Sequence, residues 1–264
     1  MYTFLFNGEK LMNSFIVLFG KEIPIYGLCW MLGIALAAVV AAFLMKKQKV
    51  EMFDLAGSAV FAIVAGLIGS KLLFIAVTLK TIIENNISIE AVIKGGFVFY
   101  GGLIGGIIGL YIYTKMFKMR FGTFADVFGV VVPLGHCVGR IGCHFAGCCY
   151  GMEYSGPFAV TYNDVLGAVP NGVSLFPVQL LEAVLLFLLF IVLLILYFKK
   201  KGEGFLAAGY LISYAIIRFI LEFFRGDKAR GILLGLSTSQ IISILIIVCV
   251  TVILILNKRK KKTA

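Results

Sequence analysis

Apolar runs of about 20 residues, separated by short charged connections, constrain this chain more than any other feature. A bilayer core holds no water to satisfy peptide groups, so such a run crosses it as a helix whose backbone bonds are all internal. The composition agrees: of 264 residues, 61% are apolar and 14% charged, against roughly 45–50% and 25% in soluble domains. The runs predict about seven transmembrane helices near 24–45, 57–79, 97–114, 124–145, 177–198, 205–224 and 236–257, an all-α polytopic membrane protein.

The first run follows a mixed segment carrying Glu9, Lys10, Lys21 and Glu22 and shows no small-residue cleavage pattern, so it is expected to be retained rather than removed as a signal peptide. No internal repeat or soluble linker is visible, and residues 1–264 are expected to form one integral-membrane domain with longer connections at 80–96 and 146–176. Lysine and arginine concentrate in one set of connections: Lys46, Lys47 and Lys49; Lys115, Lys118 and Arg120; Lys199, Lys200 and Lys201; and the tail from Lys258 to Lys262. Cytoplasmic loops hold the excess of positive charge, which puts the N-terminus outside and the C-terminus in the cytoplasm. The opposite connections carry fewer cations, among them Lys10, Lys94, Lys228 and Arg230.

The net charge of +11 does not imply nucleic acid, because the cations sit at helix ends beside apolar spans, where anionic lipid is the nearer partner. No basic face interleaved with aromatics is present.

Lys71, Arg140 and Arg218 fall within predicted spans, in the halves nearer the outer surface, and Arg225 stands at the outer end of the sixth. A charge at helix centre costs about 2.5–3.5 kcal/mol on insertion scales, so embedded cations face a bundle interior or a cavity and mark function. Each could instead snorkel or pair with Glu222, four residues after Arg218, or with Glu182. Two guanidinium groups exceed what one intrahelical pair neutralises, and their planar forks suit a phosphate. A phospholipid phosphate is therefore the expected anion. Glycines nearby permit close backbone approach: Gly101, Gly102, Gly105 and Gly106 in the third span, and Gly139 and Gly142 around Arg140.

The segment from His136 to Gly151 holds both histidines and Cys137, Cys143, Cys148 and Cys149. Three readings stand open. The first is a metal site, against which the spacing matches no standard zinc pattern and no second cysteine pair closes a tetrahedron. The second is a disulfide on the outer face, formed by Cys143 or Cys137 with Cys148 or Cys149. The third is a set of free thiols whose pKa Arg140 lowers. Cys29 and Cys249 read as small buried apolar residues. Neither a metal nor a cofactor is expected.

Tyr26-Gly27-Leu28, Tyr100-Gly101-Gly102-Leu103-Ile104-Gly105, Gly139-Arg140-Ile141-Gly142, Pro177-Val178-Gln179-Leu180-Leu181-Glu182, Arg218 to Arg225, and Leu236-Ser237-Thr238-Ser239-Gln240 occur in the order found in prolipoprotein diacylglyceryl transferases, which this chain resembles along nearly its whole length. The resemblance implies seven helices, residence in the bacterial cytoplasmic (inner) membrane, and transfer of a diacylglyceryl group from phosphatidylglycerol to the lipobox cysteine of a preprolipoprotein signal peptide, with release of glycerol phosphate. It implies headgroup contacts for Arg140 and Arg218, and site roles for Tyr26 and Glu222. Tyr100 stands where the family usually has histidine, and Cys143-His144-Phe145-Ala146-Gly147-Cys148 replaces an Asn-Phe-x-Asn-x-Glu stretch. His136 or His144 could supply the missing imidazole.

Other readings are a paralogue with another acceptor, thiol redox chemistry by Cys143, Cys148 and Cys149, and an anion or lipid transporter. A transporter predicts cations spread through the membrane depth and inverted repeats. Neither is seen in this sequence.

Overall fold

The computed structural model describes residues 14–263 except 19, 164, 200–202, 228–231 and 234. Glu9, Lys10, Lys200, Lys201, Lys228 and Arg230, which entered the charge reading, lie outside the described residues.

Ahead of the first helix stands an antiparallel hairpin of β1 (Phe15–Leu18) and β2 (Lys21–Pro24), turning at Gly20 with φ +74°. Helices α1 (Ile25–Lys47), α2 (Met52–Glu84), the short α3 (Ile89–Lys94), α4 (Phe99–Met116) and α5 (Phe121–Ala146) follow. A loop carrying the two-residue pair β3 (Val160–Thr161) and β4 (Ser174–Leu175) leads to α6 (Val178–Phe198). Helix α7 (Phe205–Leu221) continues into a 3-10 turn at Glu222–Phe224, and a second small pair, β5 (Ile232–Leu233) and β6 (Leu236–Ser237), precedes α8 (Thr238–Thr263).

Among the described residues, six helical segments are long and apolar enough to cross a membrane: Ile25–Lys47, Met52–Leu79, Phe121–Ala146, Val178–Phe198, Phe205–Phe224 and Thr238–Leu256. The protein is thus a multi-pass membrane protein. The seventh expected span, 97–114, is also helical, as α4, but its glycines, tyrosines and Lys115 dilute its apolar character below that of the other six. Helix α2 begins before the expected 57 and ends after the expected 79. Its 33 residues extend about 50 Å, longer than a ~30 Å hydrocarbon core.

The chain folds as two compact units, Ala41–Phe128 and the remainder, Met1–Val40 with Gly129–Ala264. In the first, α2 and α4 lie close enough for backbones to touch. A Cβ on Gly101, Gly105 or Gly109 of α4 would collide with the carbonyl oxygens of Gly69, Ala65 and Phe61 on α2. Glycines four residues apart thus make the small-residue interface that membrane helices use, where lipid supplies no hydrophobic drive to pack. Ser70 Oγ donates to the Val98 carbonyl at 2.8 Å, and Tyr113 Oη donates to Asp54 Oδ1 at 3.1 Å.

Three local devices in the other unit fix where its polar groups go. Pro133 removes one rung of the α5 ladder. Helix α5 ends at Gly147 with φ +67°, where Gly147 N–H donates to the His144 carbonyl and Cys148 N–H to the Cys143 carbonyl. That is a Schellman stop, and it turns the chain back over the last helical turn. Helix α8 starts with a reciprocal cap: Gln240 N–H donates to Ser237 Oγ at 3.2 Å, and Ser237 N–H donates to Gln240 Oε1 at 2.9 Å.

Candidate functional site

Arg140 sits in the last third of α5. Its guanidinium meets Glu182 of α6, Nη2 to Oε1 at 3.1 Å, while Nε donates to His136 Nε2 at 3.2 Å. A ring nitrogen that accepts is unprotonated, so His136 carries its proton on Nδ1 and is neutral. Glu182 is 1% exposed and also accepts from Tyr214 Oη of α7 at 3.2 Å. His136 and Tyr214 pack edge to face, their centroids 5.0 Å apart, and each lies within electrostatic reach of both Arg140 and Arg218.

Arg218 is buried on α7. Its Nη2 meets Glu222 Oε2 at 2.5 Å, one helical turn on, and donates to Ser239 Oγ of α8 at 3.2 Å. The α8 cap puts Ser239 one residue before Gln240, in the first turn, so the helix start also delivers a partner for the arginine. Nη1 of Arg218 is buried with no hydrogen bond among the described residues.

These pairs correct the charge argument from sequence. The two guanidinium groups do not outnumber their carboxylates: Glu182 serves Arg140 across helices and Glu222 serves Arg218 along one. The physical reason is that a buried ion without a partner costs several kcal/mol, so the fold supplies one even from a distant segment. What the pairs leave over is unused donor capacity, since a guanidinium has five N–H groups and a carboxylate engages two.

Lys71 takes a different role from the one expected. Its Nζ donates to the carbonyls of Val92 and Gly95, both at 3.0 Å, and of Gly96 at 3.3 Å, and stands over the Phe74 and Phe97 rings at 5.1 and 4.5 Å. Three acceptors use all three ammonium protons. The cation closes the C-terminal end of α3, where orphan carbonyls and the helix dipole favour positive charge. Tyr100, Gly101 and Gly102 belong to α4 of the same unit. Gly101 meets α2 directly, and Tyr100 is half-buried with its ring edge-on to Phe99.

The Schellman turn places the cysteines. It folds Cys148 over Cys143, and Cys149 adopts φ +58°, a left-handed conformation that a non-glycine residue holds at a cost of about 1 kcal/mol or more. The three sulfurs lie within 4.8 Å of one another, and the three residues are partly exposed. Gln179 Nε2 pins the turn by donating to the Cys148 carbonyl at 3.0 Å. All six cysteines are free thiols, and Cys137 is buried outside the trio.

Arg225 reaches the same place because the chain after α7 pairs with the loop. Gly151 bridges Arg225, Met152 N–H donates to the Phe224 carbonyl at 2.9 Å, and Gly226 N–H to the Tyr150 carbonyl at 3.1 Å. Arg225 makes a two-pronged pair with Asp227, at 2.8 and 2.6 Å. Burial opposes its charge, but Asp227 and Cys149 hold its pKa above the usual value. Hydrogen bonds from Cys143 and Cys148, aided by Arg140 and Arg225, hold the Cys149 thiol well below the ordinary range. The same bonds and burial push Cys148 up. The cluster therefore favours a thiolate at Cys149 over one at Cys148.

Tyr26 stands at the rim, 37% exposed, with Gly142 of α5 directly beneath it. A Cβ on Gly142 would come within 2.9 Å of Cys29 Cβ and 3.4 Å of Tyr26 Cα. His144, by contrast, is buried with Nδ1 2.9 Å from Tyr162 Oη, which anchors the loop between α5 and α6 to the helix end. His136 is the histidine that bonds to Arg140. Sequence reasoning missed Tyr214, Ser239, Gln179 and Asp227 as site neighbours. The signal for Ser239 was present in the Ser237-x-x-Gln240 cap spacing, whereas nothing in the sequence links Tyr214 to Glu182.

The fold and the site define a multi-pass membrane protein with a buried arginine–carboxylate network beside a thiol cluster, a design suited to an anionic lipid and sulfur chemistry. The family model for prolipoprotein diacylglyceryl transferase matches residues 14–256. The chain belongs to that family. It is similar to the phosphatidylglycerol–prolipoprotein diacylglyceryl transferase of Clostridium tetani (strain Massachusetts / E88), with 37% identity over 233 residues, 88% of this chain and 92% of the relative. It is 33% identical over 246 residues to phosphatidylglycerol–prolipoprotein diacylglyceryl transferase 2 of Clostridium perfringens (strain 13 / Type A), covering 92% and 94% of the two chains. The corresponding enzyme of Clostridioides difficile (strain 630) is 32% identical over 229 residues, 86% and 88% of the chains.

Proposed function

We propose that this protein transfers a diacylglyceryl group from phosphatidylglycerol to the lipobox cysteine thiol of a preprolipoprotein signal peptide, at the outer face of a bacterial cytoplasmic membrane. The whole chain acts as one membrane domain of seven helices, α3 not counted, with the N-terminus outside and the C-terminus inside. The matched family and the skew of Lys and Arg support that orientation. The observation that carries the reading is Arg218 Nη1, a buried guanidinium donor with no hydrogen bond among the described residues, within a network shared with Arg140.

In this reading Arg140 and Arg218 receive the donor phosphate. Their carboxylates, Glu182 and Glu222, hold them in place and keep them charged before lipid arrives. The acceptor thiolate attacks the glyceryl carbon bonded to the phosphate oxygen; the C–O bond breaks, and its electron pair goes to that oxygen. Charge grows on the leaving glycerol phosphate, where preorganised cations in a water-poor site act most strongly. Tyr26 lines the rim, and Gly101 and Gly102 keep α4 close on α2. Lys71 is better read as a helix-end clamp than as a lipid ligand.

The test incubates the purified protein with headgroup-labelled phosphatidylglycerol and a lipobox peptide. Thioether product and labelled glycerol phosphate should appear together and be lost in Arg140→Ala and Arg218→Ala. Absence of glycerol phosphate release by the parent protein would defeat the proposal.

A further inference from the structure

The proposed reaction alkylates a thiol, and the trio beside the arginines is built of thiols that this reaction does not yet use. Cys143 comes from the last turn of α5, Cys148 from its Schellman stop and Cys149 from a strained left-handed residue, yet their sulfurs converge within 4.8 Å. Three thiolates bound tetrahedrally to one zinc at about 2.3 Å lie about 3.8 Å apart, so sulfurs already within 4.8 Å of one another are about 1 Å from that spacing. The sequence-level objection was that no fourth ligand completes the tetrahedron. That is a requirement of structural zinc. A catalytic zinc keeps three protein ligands and leaves the fourth position open. The partial exposure of all three cysteines leaves such a position reachable.

We propose that Cys143, Cys148 and Cys149 hold a zinc ion through three thiolates, and that its open position takes the acceptor cysteine thiol of the peptide substrate. The identity of that fourth ligand rests on the transferase reading above. A coordinated thiol is deprotonated outright, so the acceptor enters as a thiolate and its proton leaves to water. The zinc-held sulfur then forms the S–C bond as the C–O bond of the lipid breaks, and the phosphate oxygen keeps the electron pair. No electrons are exchanged with the metal, in keeping with the redox-inert d10 ion. Three thiolates and one Zn2+ carry a net charge of −1. Arg140 and Arg225 both lie within electrostatic reach of Cys149 and offset it. Arg140 also holds the donor in the proposed function, so one residue would bring donor phosphate and acceptor sulfur together. Soft thiolate ligands select zinc over magnesium or calcium.

The test uses the full-length protein in detergent, purified without chelator. Zinc analysis should find about one ion per chain, retained in Cys29→Ser and lost when Cys143, Cys148 and Cys149 are all changed to serine. Parent protein stripped and reloaded with cobalt(II) should show the absorption of a tetrahedral thiolate site. A lipobox peptide bearing cysteine should shift that spectrum, and the same peptide bearing serine should not. Metal-free parent protein that binds neither zinc nor cobalt, zinc retained by the triple variant, a disulfide within the trio as isolated, or an identical cobalt response to both peptides would overturn the proposal. The cobalt experiment needs no variant and so does not depend on the triple mutant folding. Transfer at the full rate by metal-free protein would overturn the role of zinc in the acceptor step and leave the transferase standing. A cobalt site that answers the cysteine peptide, in a protein that never releases glycerol phosphate, would leave the metal site standing without the transferase.

Discussion

Replacing Glu182 by glutamine removes the charge that faces Arg140 while keeping the volume and an acceptor for Tyr214. Glu182 is 1% exposed and Arg140 14%, so the pair is buried, and the variant leaves an uncompensated guanidinium in the bundle. Breaking a buried pair at one partner costs about 3–5 kcal/mol. The residual exposure of Arg140 and its surviving bond to His136 place the expectation near the low end, about 3 kcal/mol. At roughly 2–4 °C per kcal/mol for a chain of this size, the melting temperature in detergent should fall by about 6–12 °C. Adding Arg140→Met to Glu182→Gln should recover most of that loss, because two neutral side chains leave no buried charge behind. Phosphatidylglycerol should raise the melting temperature of Glu182→Gln by more than that of the parent, since a bound phosphate supplies the missing negative charge. An unchanged melting temperature, or a double variant no better than the single one, would refute the claim that this pair is a coupled structural unit.

Other expectations follow from single contacts. Arg218→Lys keeps the charge and one donor for Glu222 and Ser239 but loses Nη1, the donor left over for the phosphate, and transfer should fall about a hundredfold; a steady-state assay with unchanged kcat/KM would contradict it. Gly142→Ala pushes a methyl into Cys29 and Tyr26, costing about 1–3 kcal/mol by overpacking and lowering activity through a displaced Tyr26, as thermal melting and transfer assays would register. Lys71→Met strands the carbonyls at the end of α3 and should lower stability by about 1–3 kcal/mol with the KM for phosphatidylglycerol unaltered; a raised KM at full stability would restore a lipid role to Lys71. In chelator-treated protein, Cys149 should react with iodoacetamide well below the ordinary thiol range. Its depressed pKa keeps the thiolate as pH falls, and that reactivity is lost only below its own pKa, while Cys148 stays inert until strongly alkaline pH. A common midpoint near ~8.5 for all three cysteines would show that the cluster does not favour a thiolate at Cys149.

Helices α1, α2, α5, α6, α7 and α8 were legible because membrane insertion is decided within each segment. Apolar length sets the span whatever the neighbours are, and the least apolar helix, α4, was also found from its length and glycines. The importance of Arg140 and Arg218 was equally local, since a charge placed in a span is costly before any partner is known. What those charges meet was not local. Glu182 reaches Arg140 from α6, Ser239 reaches Arg218 from α8, and Lys71 turns to three carbonyls at the end of α3. The cysteines divide in the same way. Their clustering is plain in the sequence, but whether three sulfurs meet depends on a Schellman turn at Gly147 and a left-handed Cys149. Composition and run length fix the energetic cost of a buried group; only the packed helices determine which partner offsets it, because that partner is brought near by the fold and not by the chain.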